Sequence, residues 1–424
     1  MILYLALFLV ALAIGMPIAL GLGIASLVYL LIEGHGHLLL AFPQRMIAGI
    51  DNFLLLTIPF FILAGNLMNA ANLTSQIVRC AQMLVGKVRG GLAVVNVVAS
   101  MLFSGISGAA TSEASAIGSL MIPAMKKDGY RANYAAALTA VGSLLGPLIP
   151  PSLPLILYGV LTGTSIGDLF LAGVLPAFIL CLLLIVYALR KARAEDHPVP
   201  PAMPKEERRS ALLAAIPAIL LPVIIVAGIR SGAFTPTEAA GVACFYALAL
   251  GVFFYRSLSM AAIRRCFFET ATMSAGVMLV VAMASMTAFV LGIESIPTRV
   301  AASILSLTDS PMMLVLLLNV ILLVLGLFLE PLAAMILIMP VLSALSPTIG
   351  MDPVQLGIMV VLNLMIGMIT PPVGLVLFIV SAIARSPLES VSRASLPLIG
   401  ICLVVLALVA TVPQLSLFLP SLLH

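Results

Sequence analysis

The chain contains 424 residues, of which 62% are hydrophobic and only 8% are charged, and its mean hydropathy is +1.26. Apolar runs recur from one end to the other, which excludes a single soluble core and indicates an all-α polytopic membrane protein. The net charge of +4 comes from basic residues in loops, where they set orientation, and it does not indicate a nucleic-acid partner.

The first 190 residues predict one structural repeat, whose scaffold helices lie within 1–70. Its first two helices, at about 2–15 and 17–32, are short and are split at Gly15-Met16-Pro17. A single kinked helix is the alternative, and it would place the N-terminus inside. The later predicted elements are a helix at 52–70, a basic amphipathic arm at 72–90, a hairpin at 92–125, a broken helix at 133–162 and a helix at 169–189.

A polar segment at 191–210 is rich in Lys, Arg, Glu and Pro, which predicts a cytoplasmic linker between two halves. The second half, 211–424, predicts scaffold helices within 211–292, an arm at 294–309, a hairpin at 311–346, a broken helix at 353–383 and a final helix at 395–412. If the halves are inverted repeats, only three of the 20 Lys and Arg residues lie outside: Arg45, Arg230 and Arg299. Both termini are then periplasmic.

The two halves carry the same types of residue at matching separations along the chain. Glu113 and Glu330 are 217 residues apart, as are Pro123 and Pro340. Two Gly-x-x-x-Pro-Pro segments follow, 146–151 and 367–372, and they are 221 residues apart. An acid, a proline and a break at matching points of two apolar halves indicate a duplicated transporter with broken helices at the membrane midplane. A pair of proline kinks that serve packing is the alternative.

Each proline pair removes two amide donors and interrupts a helix, which frees the carbonyl groups just upstream. Those carbonyls, at 146–149 and 367–370, are suitable ligands for a small cation. The run from Ser104 to Ser119 adds hydroxyl groups among Gly and Ala, where they serve either a cation or close helix packing.

Glu113 and Glu330 fall inside the predicted hairpins, where a charge is costly unless it is paired or hydrated. Proton coupling is one interpretation. We favour a structural role, in which each carboxylate caps the first-turn amides of the helix that follows it. Asn66, Asn96 and the pair Asn319 and Asn363 are interpreted as interhelical hydrogen-bonding groups.

No nucleotide-binding, serine-hydrolase or zinc-protease motif occurs, and the four histidines lie in loops or at the terminus. The chain is therefore expected not to be an enzyme and not to hold a transition metal or an organic cofactor. Energy for transport then comes from an ion gradient or from a partner.

Five segments carry a resemblance to a known family: 15–20 (GMPIAL), 58–65 (IPFFILAG), 103–108 (FSGISG) and the two Gly-x-x-x-Pro-Pro segments. Together they resemble the large membrane (M) subunit of tripartite ATP-independent periplasmic (TRAP) transporters, and the resemblance covers essentially the whole chain. It implies a fold similar to the divalent anion/sodium symporters, with a fixed scaffold, two arms, and two hairpins and two broken helices that move as an elevator.

The resemblance also implies a function and partners. The family members are sodium-driven importers of organic acids, such as C4-dicarboxylates or sugar acids, in the bacterial inner membrane. They receive substrate from a soluble periplasmic binding protein and work with a small four-helix membrane subunit. A stand-alone ion-coupled anion symporter is the alternative within transport, and a channel or a membrane-embedded enzyme is the alternative outside it.

Site residues follow from the resemblance, position by position. The first sodium (Na+) site is expected at Ser104, Ser107, Gly108, Ala109, Gly146, Ile149 and Pro151. The second is expected at Gly326, Gly367, Thr370 and Val373. Candidates for positions next to the substrate are Thr111, Ser112, Pro150 and Pro371.

Overall fold

A computed structural model describes residues 2–85, 88–199, 204–306, 308 and 310–422. Within these ranges every regular element is a helix, and no strand occurs. Eight of the described helices are long and apolar enough to cross a bilayer, or nine spans if one pair bent by 40° counts as a single span. The all-α, multi-pass class predicted from the sequence is confirmed.

Ten α-helices form the described part of the first half. They are α1 (Ile2–Ala13), α2 (Ile18–Ile32), α3 (Ala41–Ile50), α4 (Thr57–Ala70), α5 (Leu73–Val85), α6 (Gly91–Ser107), α7 (Ala110–Lys127), α8 (Ala132–Gly142), α9 (Leu153–Thr162) and α10 (Ile166–Ala194). Helices α1 and α2 are separate, with Gly15 between them at φ +79°. Helix α3 was not predicted; its Pro43 lies in the first turn, where the missing amide is not needed.

Ten further α-helices form the described part of the second half. They are α11 (Lys205–Arg230), α12 (Pro236–Ala249), α13 (Met260–Ile293), α14 (Ile296–Leu305), α15 (Pro311–Phe328), α16 (Pro331–Ile349), α17 (Pro353–Met368), α18 (Leu375–Ala384), α19 (Leu388–Thr411) and α20 (Gln414–Leu422). Helix α20 was not predicted. Helices α10 and α11 both extend into the predicted linker, because Lys, Arg and Glu are good helix formers despite their charge.

Some predicted positions lie outside the described residues. They are 200–203 of the linker, 86 and Lys87 of the first arm, 307 and 309 of the second arm, and both chain termini.

Asparagine side chains join each predicted hairpin to its broken helix. Asn96 on α6 donates through Nδ2 to Thr139 Oγ1 on α8 at 2.7 Å. Asn363 on α17 donates to Asn319 Oδ1 on α15 at 2.6 Å. The interhelical role predicted for these residues is confirmed, since a polar group at membrane depth needs a partner within the protein.

Both broken helices are interrupted at their proline pairs. Helix α8 continues as a 3₁₀ turn, Ser143–Leu148, before an extended segment leads into α9. Ser152 accepts a hydrogen bond from the Leu155 amide at 3.3 Å and so caps α9. In the second half, residues 369–374 separate α17 from α18. Helix α17 packs against the 3₁₀ turn, so the two broken helices meet in the interior of the molecule.

Candidate functional site

The tip of the first hairpin rests directly on the first break. Helix α6 ends at Ser107, and Gly108 follows in the left-handed conformation with φ +59°. The Leu153 amide donates to the Gly108 carbonyl oxygen at 3.3 Å. A β-carbon at Gly108 would collide with the Pro151 carbonyl oxygen, so only glycine allows this approach. Gly108 and Pro151, both expected at the first site, therefore lie in contact.

Ser104 and Gly146 are brought together by a third residue, Glu113. Ser104 Oγ donates to the Ser100 carbonyl oxygen at 2.6 Å and lies 3.2 Å from Glu113 Oε2. A β-carbon built on Gly146 would lie only 2.5 Å from the same carboxylate oxygen. The carboxylate therefore occupies the space between the end of α6 and the start of the first break.

The remaining residues expected at the first site are less tightly grouped. Ser107 Oγ donates to the Ala109 carbonyl oxygen at 3.5 Å, within the hairpin tip. Ile149 lines an apolar cavity against α11, together with Pro150. The Ile149 amide donates to the Leu145 carbonyl oxygen. Among the described residues, Ile149 therefore makes no hydrogen bond to the hairpin tip.

The second hairpin meets the second break through glycine backbone. A β-carbon built on Gly326 would lie 2.9 Å from the Leu364 carbonyl oxygen and 3.2 Å from Gly367 Cα. Thr370 donates through Oγ1 to the Ile366 carbonyl oxygen at 2.6 Å, and the Thr370 amide donates to the Gly367 carbonyl oxygen at 3.1 Å. Gly326, Gly367 and Thr370 are thus adjacent, and Val373 follows the proline pair as a half-buried side chain.

The capping role expected for the two acids is wrong. Helices α7 and α16 both begin without a side-chain cap hydrogen bond. Glu113 is the fourth residue of α7, so its side chain extends beyond the first-turn amides and toward α6. Glu330 is the residue that precedes α16, a position where short side chains such as Ser or Asp fit and the longer Glu does not.

A cavity of about 550 Å³ opens beside the first hairpin tip. Helices α4, α5 and α7 contribute most of its wall, and none of the described residues that line it is charged. Its polar lining consists of hydroxyl and amide side chains: Asn66, Asn69, Asn72, Thr74, Ser75, Ser107, Thr111, Ser112, Ser115 and Ser119. Such groups both donate and accept hydrogen bonds.

Only two of the four residues expected next to the substrate line this cavity. Thr111 and Ser112 belong to it, and they lie in the first turn of α7. Pro150 lines the separate apolar cavity against α11 instead, because the break turns it toward that helix. Pro371 lines neither of these two cavities.

Several residues of the cavity wall were missed by sequence reasoning. Asn66, Asn69 and Asn72 recur at a spacing of three, which places them on one side of α4 and its C-terminal end. Asn66 Nδ2 donates to Thr270 Oγ1 on α13 at 3.0 Å, so the predicted interhelical bond exists, yet the residue also lines the cavity. The spacing of the three asparagines was a signal that could have identified this wall.

Helix α11 contacts both α6 of the first hairpin and α10. A β-carbon at Gly105 on α6 would lie 2.6 Å from Pro222 Cγ, so α6 and α11 approach closely. Arg230 at the end of α11 donates to Asp168 Oδ1 at the start of α10, at 2.8 Å.

Comparison with known proteins identifies the family. The family model "Tripartite ATP-independent periplasmic transporter, DctM component" matches residues 5–415. The sialic acid TRAP transporter large permease SiaM of Vibrio cholerae is 41% identical over 96% of this chain and 95% of its own length. The C4-dicarboxylate permease DctM of Pseudomonas aeruginosa is 38% identical over 88% of this chain and 87% of its own.

A longer relative is also similar. The sialic acid TRAP transporter permease SiaT of Haemophilus influenzae is 35% identical over 98% of this chain, which spans 67% of that protein.

Two solved structures share the fold. MtrF of Neisseria gonorrhoeae has a TM-score of 0.62 at 13% identity and covers 89% of this chain and 84% of its own. YdaH of Alcanivorax borkumensis has a TM-score of 0.61 at 14% identity and covers 89% of this chain and 88% of its own. At these identities the likeness concerns the fold alone.

The full-length family match and the relatives in three bacteria agree with the hairpins and broken helices described above. The chain therefore belongs to the DctM family, the large permease component of tripartite ATP-independent periplasmic transporters, and it is a transport protein and not an enzyme.

Proposed function

We propose that this permease imports organic acids by sodium-coupled, binding-protein-dependent transport with an elevator movement. The observation that carries the proposal is the docking of each hairpin on a broken helix through glycine, at Gly108 and at Gly326. Backbone oxygens that a regular helix would use internally are available at such breaks.

Sodium coupling is supported by the kind of oxygen atoms at the two breaks. Carbonyl and hydroxyl oxygens are hard ligands, which suit a small hard cation. Ser104 supplies a hydroxyl group near the first break and Thr370 supplies one at the second. Each hydroxyl donates its hydrogen to the carbonyl oxygen four residues earlier, so the lone pairs of the hydroxyl oxygen remain for a cation.

An organic acid as substrate is supported by the cavity and by the relatives. The names of three similar permeases refer to sialic acid, C4-dicarboxylate and 2,3-diketo-L-gulonate, and all three are carboxylates. The cavity wall includes the first turn of α7, at Thr111 and Ser112. Helix N-termini attract anions, so this turn is our candidate for holding a substrate carboxylate.

The partners are supported by exposed apolar surface and by the family. Phe245 on α12 and Phe268 on α13 are each 75% exposed, which suits lipid or another helical subunit. The family consists of tripartite periplasmic transporters, so further components work with the large permease. For this chain we propose a small four-helix membrane subunit and a soluble periplasmic binding protein that delivers the substrate.

The elevator movement is supported by two contacts of α11 with its neighbours, Gly105 on α6 with Pro222 and Asp168 on α10 with Arg230. Movement of the hairpins and broken helices along α11 would require such contacts to break and reform. We place the protein in the inner membrane with both termini periplasmic, following the positive-inside rule.

Reconstitution tests the proposal. Vesicles that contain this chain, the small subunit and the binding protein are given an inward sodium gradient, and uptake of radiolabelled sialic acid, succinate and 2,3-diketo-L-gulonate is measured. We expect uptake of one acid that needs all three components and sodium. Robust uptake by this chain alone would support the stand-alone symporter instead, and passive conductance would support a channel.

A further inference from the structure

Glu113 is a buried acid with no charged partner among the described residues. Its side chain is fully buried, and no Lys, Arg or His forms an ion pair with it in the described part of the chain. Its Oε1 atom is buried and has no hydrogen-bond partner among the described residues. A buried carboxylate that is neither paired nor hydrated is costly, so a ligand is expected to satisfy it.

The neighbouring serine does not satisfy the second carboxylate oxygen fully. Ser104 carries a single hydroxyl hydrogen, which lies between the Ser100 carbonyl oxygen at 2.6 Å and Glu113 Oε2 at 3.2 Å. The shorter contact takes the hydrogen, since hydrogen bonds weaken with distance. Both carboxylate oxygens therefore have lone pairs available at the place where Ser104 and Gly146 meet.

The second half lacks such a carboxylate between hairpin and break. There the backbone of Gly326 fills the space beside Gly367, as Glu113 Oε2 fills the space beside Gly146. Glu330, which lies 217 residues after Glu113, is the residue before α16 and is only half-buried. The two breaks thus share their layout but differ in charge.

We propose that the Glu113 carboxylate is a ligand of the first sodium ion, which makes the first site anionic and leaves the second site neutral. The proposal rests on the sodium coupling proposed above. The cation would bind the unpartnered Oε1 of Glu113 together with lone pairs of Glu113 Oε2 and Ser104 Oγ. Its positive charge would balance the buried carboxylate. The hairpin tip and the first break would then be held together by an ion as well as by the Gly108 contact.

Thermal unfolding of the purified protein over a sodium titration tests this role, with choline chloride added to keep ionic strength constant. A ligand that binds the folded state raises the unfolding temperature in proportion to the logarithm of its concentration above its dissociation constant. We expect Glu113→Gln to raise the sodium concentration at which stabilisation begins by at least about tenfold. The matched change Glu330→Gln in the other hairpin is expected to leave that concentration unchanged.

The outcomes separate this inference from the proposed function. If Glu113→Gln lowers the unfolding temperature equally at every sodium concentration, the residue is structural and the inference is overturned, while sodium coupling stands. If the parental protein does not respond to sodium beyond choline, both the coupling and this inference are overturned. If Glu113→Gln fails to fold, Glu113→Asp replaces it in the test. This variant keeps the carboxylate but shortens the side chain by one methylene. A parental sodium response in that variant would likewise overturn the inference.

Discussion

Gly326 on the second hairpin and Gly367 on the second broken helix meet backbone to backbone. A β-carbon on Gly367 would lie 2.5 Å from Gly326 Cα and 2.7 Å from its carbonyl oxygen, closer than real β-carbons approach other atoms. This contact fixes the hairpin against the break without any side chain, and it leads to the first prediction.

Gly367→Ala is expected to destabilise the protein by about 1–3 kcal/mol, the usual cost of forcing extra volume into a packed interior. The apparent unfolding temperature of the purified protein is the measurement, and sodium-driven uptake is expected to fall with it. Gly400→Ala is the matched control, because nothing lies within 4 Å of a β-carbon there and alanine favours a helix. Equal stability of the two variants would contradict the backbone contact.

Ser104→Ala and Thr370→Ala are each expected to raise the sodium concentration for half-maximal uptake by roughly ten- to a hundredfold. Loss of one hydrogen-bonding group to a charged ligand costs about 1.5–3 kcal/mol, which corresponds to that change in affinity. Expression and binding-protein affinity should stay near normal.

Ser303→Ala and Thr411→Ala are the controls for these hydroxyl groups. Each donates to the carbonyl four residues earlier, as Ser104 and Thr370 do, but each is exposed and lies away from the breaks. If all four variants share the parental sodium dependence, the hydroxyl groups serve packing and the two sites are wrongly placed.

Ser115→Leu is expected to reduce uptake at least about tenfold, because a bulky apolar side chain would project into the cavity and displace polar contacts to the substrate. Its sodium dependence should stay parental, since Ser115 lies outside both proposed ion sites. Ser303→Leu is the control for a leucine on an exposed helical surface. Full uptake by Ser115→Leu would exclude this cavity as the substrate path.

Asp168→Asn is expected to change the transport rate and not the sodium affinity. The ion pair with Arg230 is largely buried and links α10 to α11, so it stabilises the present arrangement relative to a shifted one. Single-turnover uptake at saturating sodium measures the rate. Glu389→Gln removes an exposed ion pair with Arg393 and serves as the control. An unchanged rate in Asp168→Asn would show that the pair does not hold one conformation.

Orientation is tested at the two ends of α11, in a variant whose five cysteines are replaced by serine. A cysteine introduced at Glu207 should react with a membrane-impermeant thiol reagent only in inverted vesicles, and one at Ser231 only in intact cells. Both positions are exposed, and the 24 residues from Glu207 to Arg230 are long and apolar enough to span a bilayer. The reverse labelling pattern would invert the whole predicted topology.

Sequence patterns predicted most of the helices, since proline and glycine signals are local. Gly15 and Pro17 marked the end of α1, and the proline pairs marked both breaks. The roles of side chains were harder to predict, because they depend on partners distant in the chain. Glu113 was expected to cap its own helix, whereas it faces Ser104 on α6. The spacing of Asn66, Asn69 and Asn72 marks one side of α4, but it does not show that this side and α7 line the same cavity.

The uncharged lining of the cavity has a consequence for how such permeases diversify. A pocket that bound acids through a fixed arginine would need a replacement counter-charge whenever the acid group moved to a new position. A pocket of hydroxyl and amide groups, such as Ser112, Ser115 and Asn69, can change its substrate preference through substitutions between uncharged residues. Such substitutions leave the charge of the interior unchanged. If this cavity holds the substrate, as proposed, one scaffold can acquire a new acid by a few single substitutions that leave no buried charge without a partner.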